Sequence, residues 1–145
     1  MKKLFLLLSF IIVSSYANAD NKISFKRLET LAKQGDLAAQ NEVANAYRKG
    51  IGVTQDYKTA VKWFTLAAEQ GNALAQYNLG RLYYLGKGVS EDLVYAHMWA
   101  QQASSNGFEM GSELTDLIKE LMTTNQIEEA HRLGKECVKK KYKGC

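Results

Sequence analysis

The heptapeptide QGDLAAQ at residues 34–40 returns as QGNALAQ at residues 70–76, so that the two copies are 36 residues apart. The same offset relates GIGV at residues 50–53 to GKGV at residues 86–89, and Trp63 to Trp99. A fixed period of this length is typical of stacked helical repeats, in which each unit buries its apolar face against its neighbours. The sequence therefore predicts a helical repeat protein.

Each copy contains the signals for two helices joined by a tight turn. Asp36 can cap the first helix of the first copy, and Asp56 can cap the second helix. Gly50 stands where the first helix should end in a left-handed conformation, which glycine adopts at little cost. The second copy has equivalent signals 36 residues later. These signals predict an all-α fold, an α-α superhelix of stacked antiparallel helix pairs, with both tryptophans buried.

The first 19 residues have the composition of a signal peptide. Lys2 and Lys3 precede an apolar run at residues 4–13, and Ala17-Asn18-Ala19 is a small-x-small cleavage site. About ten apolar residues are too few to span a bilayer, which needs about 20. We therefore expect export to the periplasm or beyond, and no membrane span once the signal is removed.

The remaining 126 residues, 20–145, are enough for one domain. We divide it into an N-terminal capping helix (residues 23–35), repeat one (36–71), repeat two (72–107), and a degenerate C-terminal repeat with its cap (108–145). The last unit lacks the Gly-x-Gly turn, but Thr123 and Gln126 can form a capping box. One face of the capping helix can carry Ile23, Leu28, Leu31 and Ala32. A plausible first helix of the last unit contains Leu114, Leu117, Ile118 and Leu121.

The charge of the chain is modest, since loss of Lys2 and Lys3 lowers the formal net charge from +4 to +2. This balance does not indicate a nucleic-acid partner. The positive charge gathers in the C-terminal segment, at Lys135, Lys139, Lys140, Lys141 and Lys143. Such a cluster is either a solvated helix end, where cations complement the helix dipole, or a patch for an anionic partner.

The two cysteines, Cys137 and Cys145, are expected to form a disulfide, because export places them in an oxidising compartment. An unbroken helix would hold them about 12 Å apart at 1.5 Å per residue. Since a disulfide needs Cα atoms within about 7 Å, the chain must turn back before Cys145, and Gly144 can supply the turn.

The repeated motif resembles the Sel-one-like repeat (SLR) family, a relative of tetratricopeptide repeats. The resemblance rests on Gly50-x-Gly-Val53 followed at set spacing by Asp56, Ala60, Trp63 and Ala67-Ala68, and it covers roughly residues 23–134. It implies a right-handed α-solenoid scaffold that binds other proteins or peptides, and in bacteria it implies envelope or host-interaction roles. We expect a monomer with a protein or peptide partner.

A cysteine-rich branch of the family has a disulfide within each repeat, and β-lactamase activity has been attributed to it. Neither full repeat here contains a cysteine, so the resemblance does not extend to that activity. A small cell-envelope hydrolase of this kind is the alternative function.

No pattern of catalytic or metal-binding residues stands out in the sequence. His97 and His131 are 34 residues apart rather than 36, and no ligand spacing surrounds either one. We expect both to be surface or half-buried structural histidines. The Gly-x-Gly turns are not followed by Lys and Ser or Thr, so they are not phosphate loops. We therefore predict a protein that is not an enzyme and has no catalytic, cofactor or metal site.

The residues that differ between the copies give a better indication of function. Asn41, Asn45 and Arg48 in repeat one correspond to Tyr77, Arg81 and Tyr84 in repeat two. Their spacing of four and three places each trio on one side of a helix, and first helices line the concave side in the family. We call these six residues the first-helix face. Since Tyr and Arg are enriched at binding hot spots, the face is either a partner-binding groove or an ordinary exposed surface. If it is a groove, alanine at residues 77, 81 and 84 together should weaken binding with little effect on stability.

Overall fold

The computed structural model describes residues 24–145, so the predicted signal peptide and Ile23 lie outside the described part. The described chain is helical and contains no strand. Its helices are α1 (residues 24–33), α2 (Leu37–Lys49), α3 (Tyr57–Ala68), α4 (Ala73–Leu85), α5 (Leu93–Ser105), α6 (Met110–Lys119) and α7 (Thr124–Lys139). Between residues 24 and 145, no helix is long and apolar enough to cross a membrane.

The predicted helix boundaries are confirmed by the local geometry. The Asp36 side chain accepts a hydrogen bond from the backbone N–H of Ala39 at 2.7 Å. Gly50 ends α2 at φ 72° and Gly86 ends α4 at φ 59°, both in the left-handed region. The capping box at the start of α7 is also present. Local side-chain chemistry therefore determines where these helices begin and end.

The core lies between successive helices and is built largely from alanines that allow close approach. Trp99 is 1% exposed, which confirms its predicted burial. It packs with Phe64, Leu79 and Met98. Trp63, at the same repeat position, is only half-buried, so the prediction that both indoles are buried is wrong for repeat one. Trp63 packs against the small terminal cluster under α1, which provides less cover than a full repeat.

A buried glutamine links each full repeat to its neighbours. Gln40 Nε2 donates to the carbonyl of Ala32 at 3.2 Å, and its Oε1 accepts from Gln70 at 2.9 Å. Equivalent bonds recur 36 residues later around Gln76, at 3.1 and 2.8 Å. Because an unpaired buried amide is costly, these bonds favour one register between adjacent units.

The C-terminal unit is arranged differently from a third repeat. Helix α7 packs along α5 in the same direction, with His131 beside His97 and Tyr142 bonded to Asn106. The outer side of α6 is therefore open to solvent. In the end units Ala32, Leu114 and Ile118 are buried, whereas Leu117, Leu121 and, at the other end, Leu31 are not. They are 49%, 58% and 49% exposed, respectively.

The C-terminal disulfide forms as predicted. The Cys137 and Cys145 sulfurs are 2.00 Å apart and their Cα atoms 5.5 Å apart. Gly144 contributes to the turn at φ 66°, but Lys141 and Tyr142 also have positive φ, 52° and 66°, so the reversal begins before the glycine. The backbone N–H of Gly144 donates to the Glu69 carboxylate at 2.9 Å. The closed loop therefore fastens α7 to the end of α3 as well as to α5.

Candidate functional site

The first-helix face is formed by α2 and α4, and the structure brings parts of its two trios together. Arg48 and Arg81 both line a cavity of about 60 Å³ at the junction of the two repeats. Tyr57, from the start of α3, Asn78 on α4 and Lys87, from the turn after α4, complete its polar lining. Neither Tyr57 nor Lys87 belongs to the predicted first-helix face. The turn residue equivalent to Lys87 in repeat one is Ile51, so the repeat pattern does not predict a cation there.

Three cations meet at this junction, and we refer to Arg48, Arg81 and Lys87 as the cation cluster. The Lys87 ammonium lies 5.3 Å from the centroid of the Tyr57 ring, and the Arg81 guanidinium lies 5.7 Å from that of Tyr77. Both distances are within the range of a cation–π interaction. Lys87 and Arg81 are thus held by aromatic faces rather than by carboxylates.

The cation cluster is not neutralised by any acidic side chain of residues 24–145, where the ion pairs join Lys33 to Glu29 and Arg132 to Glu129 and Glu136. Arg48 donates instead to the neutral Asn45 Oδ1, at 3.2 and 2.9 Å. Burial, together with the positive charge of Arg81, lowers the pKa of Arg48. An anionic group placed here would relieve that repulsion.

The two tyrosines of the first-helix face have a structural role as well. Tyr77 and Tyr84 pack against the second core cluster, built from α5 and α6 residues such as Ala96 and Ile118. The Tyr77 ring also lies 5.0 Å from the Phe108 ring. The expectation that their replacement by alanine leaves stability unchanged is therefore wrong, because truncation would remove core contacts.

Asn41 does not belong to an exposed surface, which corrects its place in the predicted binding face. It is 4% exposed, and its Oδ1 has no hydrogen-bond partner among the described residues. A short amide ends close to its own helix, whereas the Tyr77 ring at the same repeat position extends beyond it. Asn45, Arg48, Tyr77, Arg81 and Tyr84 are each partly exposed and remain available to a partner.

The two histidines lie together, which their sequence spacing did not indicate. His97 on α5 is 1% exposed rather than half-buried, and the His131 ring on α7 lies 5.4 Å from it. His97 Nδ1 has no hydrogen-bond partner within residues 24–145. The same part of the chain has no group of three or more His, Cys, Asp or Glu side chains that could hold a metal ion.

The burial of His97 predicts that the folded protein loses stability on mild acidification. Burial lowers the pKa of His97, and His131 and Lys119 lower it further, against a weaker opposite effect of Asp116. Below about pH 6.5, His97 therefore binds a proton in the unfolded chain, while it remains neutral in the folded chain. Stability is fully present above that pH, and it should fall as the pH drops towards the folded-state pKa.

Thermal melts between pH 7.5 and pH 5.5 would measure this effect. We expect the melting temperature of the wild type to fall across the interval, and that of a His97→Gln variant to fall less. The His131→Gln variant is the matched control and should keep most of the dependence. A wild-type melting temperature that does not change over this range would contradict the prediction.

The geometry defines an α-solenoid with repeat units of 36 residues, and the comparisons give its family. The model of the Sel1 repeat matches residues 37–72 and 73–108. The chain therefore carries two Sel1 repeats and is a Sel1-repeat protein of the SLR fold. A comparison with the curated proteins finds none that matches.

Two solved structures are similar to this chain. One is c5321, described as a protective antigen of uropathogenic Escherichia coli strains with an SLR fold, at 34% identity and a TM-score of 0.80 over 83% of this chain. The other is a Sel1 repeat protein from Oxalobacter formigenes, at 36% identity and a TM-score of 0.61 over 63% of this chain. The chain spans about a quarter, 26%, of the length of each.

Proposed function

We propose that this protein is an exported, non-catalytic scaffold that binds a protein or peptide partner through the first helices of its short SLR solenoid. The observation that carries the proposal is the cation cluster, which lies at the junction of the repeats without a carboxylate from the described residues. Like charges held close together repel one another, and an anion placed between them relieves that repulsion. A partner that supplies the anion gains charge-assisted hydrogen bonds at the same time.

The chemistry of the surface indicates an acidic segment as the partner. Arg81 can bind a carboxylate through two parallel hydrogen bonds, while Lys87 acts as a point charge. The partly exposed Tyr77 and Tyr84 offer aromatic surface on either side of Arg81 along α4. Tyrosine and arginine together form the usual composition of a binding hot spot. We therefore expect Asp or Glu residues in the segment that contacts α2 and α4.

Export and the domain plan belong to the same proposal. Residues 1–19 would be removed as a signal peptide, and residues 20–145 would act as one repeat domain in the periplasm or outside the cell. The disulfide between Cys137 and Cys145 supports an oxidising compartment. The description of c5321 as an antigen also suits an exported protein. The hydrolase alternative is not proposed, since neither full repeat contains a cysteine.

The test is affinity capture from a cell-envelope extract, followed by measurement of the affinity for the purified partner. The variant combines Arg48→Gln, Arg81→Gln and Lys87→Gln, which removes the charges and keeps most of each side chain's length. We expect at least a tenfold loss of affinity, because each charge-assisted hydrogen bond contributes about 1.5–3 kcal/mol and about 1.4 kcal/mol is tenfold.

The matched control combines Lys26→Gln, Arg27→Gln and Lys62→Gln, which removes the same charge from exposed sites on α1 and α3. Its affinity should stay within about twofold of the wild type if only distant surface charge is lost. Equal affinity of both variants for every captured partner would contradict the proposed role of the cation cluster.

A further inference from the structure

A second groove runs between α5 and α7, on helices that contribute nothing to the first-helix face. Its volume is about 750 Å³, and it is open to solvent along one side. Gln101, Gln102 and Ser105 line it from α5, and Lys135, Val138 and Lys139 line it from α7. The groove exists because α7 packs along α5, so it could not be read from the repeat pattern.

The α5 side of the groove contains a buried hydrogen-bond acceptor without a donor. Gln102 is 5% exposed, and its Oε1 has no hydrogen-bond partner among residues 24–145. Buried carbonyl oxygens are nearly always paired, and each exception calls for an explanation. The equivalent residue in repeat one, Leu66, is apolar, so the repeat fold does not require an amide here. A ligand that donates an N–H group would satisfy Gln102.

The neighbouring residue on α7 leaves room for the Gln102 amide. Gly134 lies inside α7, where glycine costs helix stability relative to alanine. A Cβ atom at this position would lie 2.9 Å from Gln102 Nε2. The glycine therefore lets the Gln102 side chain lie against α7 at the bottom of the groove.

The α7 side of the groove is basic. Lys135 and Lys139 are four residues apart, so they lie on one side of the helix, about 5–6 Å apart at Cβ. The described ion pairs of α7 use Arg132, Glu129 and Glu136 and involve neither lysine. In an extended peptide, alternate side chains lie about 6.6 Å apart on one side. The lysine spacing therefore fits carboxylates at alternating positions.

We propose that the α5–α7 groove binds an extended acidic peptide segment that has Asp or Glu at alternating positions. Once the Gln102 amide turns towards the groove, a backbone N–H of the segment would donate to its Oε1, while the carboxylates of the segment would contact Lys135 and Lys139. The 50%-exposed Val138 lies between the lysines along α7 and offers apolar contact. A fully deprotonated anion such as sulfate cannot donate to Gln102, whereas a peptide provides donors and carboxylates together. This site is separate from the cation cluster and does not depend on the proposed function.

The test is an NMR titration of the ¹⁵N-labelled protein with the peptide acetyl-Gly-Glu-Gly-Glu-Gly-Glu-Gly-amide at millimolar concentrations. We expect shift changes along α5 and α7. The Lys135→Gln/Lys139→Gln variant should bind at least tenfold more weakly. The Lys141→Gln/Lys143→Gln variant loses the same charge beyond α7 and should bind within twofold of the wild type. Equal losses in both variants, no shift changes, or changes confined to α2 and α4 would overturn the proposal.

A Gln102→Met variant separates the contribution of this side chain to peptide binding from its contribution to stability. Methionine keeps the length of the side chain and removes the unpaired carbonyl. We expect weaker peptide binding with a melting temperature that is unchanged or higher. A lower melting temperature with undiminished binding would overturn the role given to Gln102. The Arg48→Gln/Arg81→Gln/Lys87→Gln variant should keep the shift changes along α5 and α7, so failure here and failure of the first-helix site can be told apart.

Discussion

Trp99→Ala is expected to lower the free energy of unfolding by about 3–5 kcal/mol, as is usual when a buried aromatic side chain is truncated. Trp99 is 1% exposed and belongs to the main core cluster, where it packs with residues of α3, α4 and α5. Gly80, without a side chain, lies against the backbone of α5 beside it, so the helices cannot easily move closer to fill a cavity. Urea denaturation followed by far-ultraviolet circular dichroism would measure the loss.

Trp63→Ala is the natural control, since it removes the same side chain from the same repeat position. Because Trp63 is only half-buried, the loss should be clearly smaller than at Trp99. Equal losses for the two variants, or a Trp99→Ala protein as stable as the wild type, would contradict the packing described here.

Gly88→Ala should also be strongly destabilising, by about 2–5 kcal/mol. Gly88 has φ 77°, where a residue with a side chain loses roughly 1–2 kcal/mol. A Cβ atom there would lie 2.4 Å from the carbonyl oxygen of Tyr57, so the turn would have to move away from the start of α3. Relieving such an overlap typically costs roughly 1–3 kcal/mol more. A comparison of chemical denaturation curves would give the total.

Gly107→Ala separates the two contributions to that loss. Gly107 has φ 92°, but a Cβ atom there would meet nothing within 4 Å. Its replacement should therefore cost only the roughly 1–2 kcal/mol of the left-handed backbone. If Gly88→Ala were no more destabilising than Gly107→Ala, the close approach of the Gly86–Gly88 turn to Tyr57 would not matter for stability.

The repeat architecture could be predicted because its signals are local. The N-cap at Asp36 and the left-handed glycine at Gly50 act within a few residues of where they stand, and the 36-residue period copies them along the chain. The C-terminal disulfide was also predictable, since geometry allows Cys137 to reach Cys145 only through a turn. In these places, short-range chemistry alone determines the structure.

The end units could not be predicted in the same way, because contacts between distant helices decide their packing. The repeat period suggested α6 and α7 as a degenerate third pair. Instead, α7 packs along α5, Leu117 and Leu121 stay exposed, and His97 is buried. At the other end, Leu31 is exposed because no unit precedes α1 among the described residues.

The candidate site was predicted in part. The helical spacing identified Arg48 and Arg81 as members of one face, but it could not show that the turn residue Lys87 joins them. The exposure of Asn41 was predicted wrongly, since helical spacing gives the direction of a side chain but does not show whether neighbouring residues cover it. Gln102 was missed, although one signal was available: it replaces the apolar Leu66 of the preceding repeat.

Photo-crosslinking tests most directly whether the first-helix face binds a partner. The photoreactive residue p-benzoylphenylalanine would replace Tyr84 on α4 or, as a control, the exposed Lys62 on α3. Each protein would be irradiated in an envelope extract. We predict a partner conjugate from position 84 that the Arg48→Gln/Arg81→Gln/Lys87→Gln changes abolish, and none from position 62. A conjugate formed only from position 62, or one from position 84 that survives loss of the cation cluster, would contradict binding through the first-helix face.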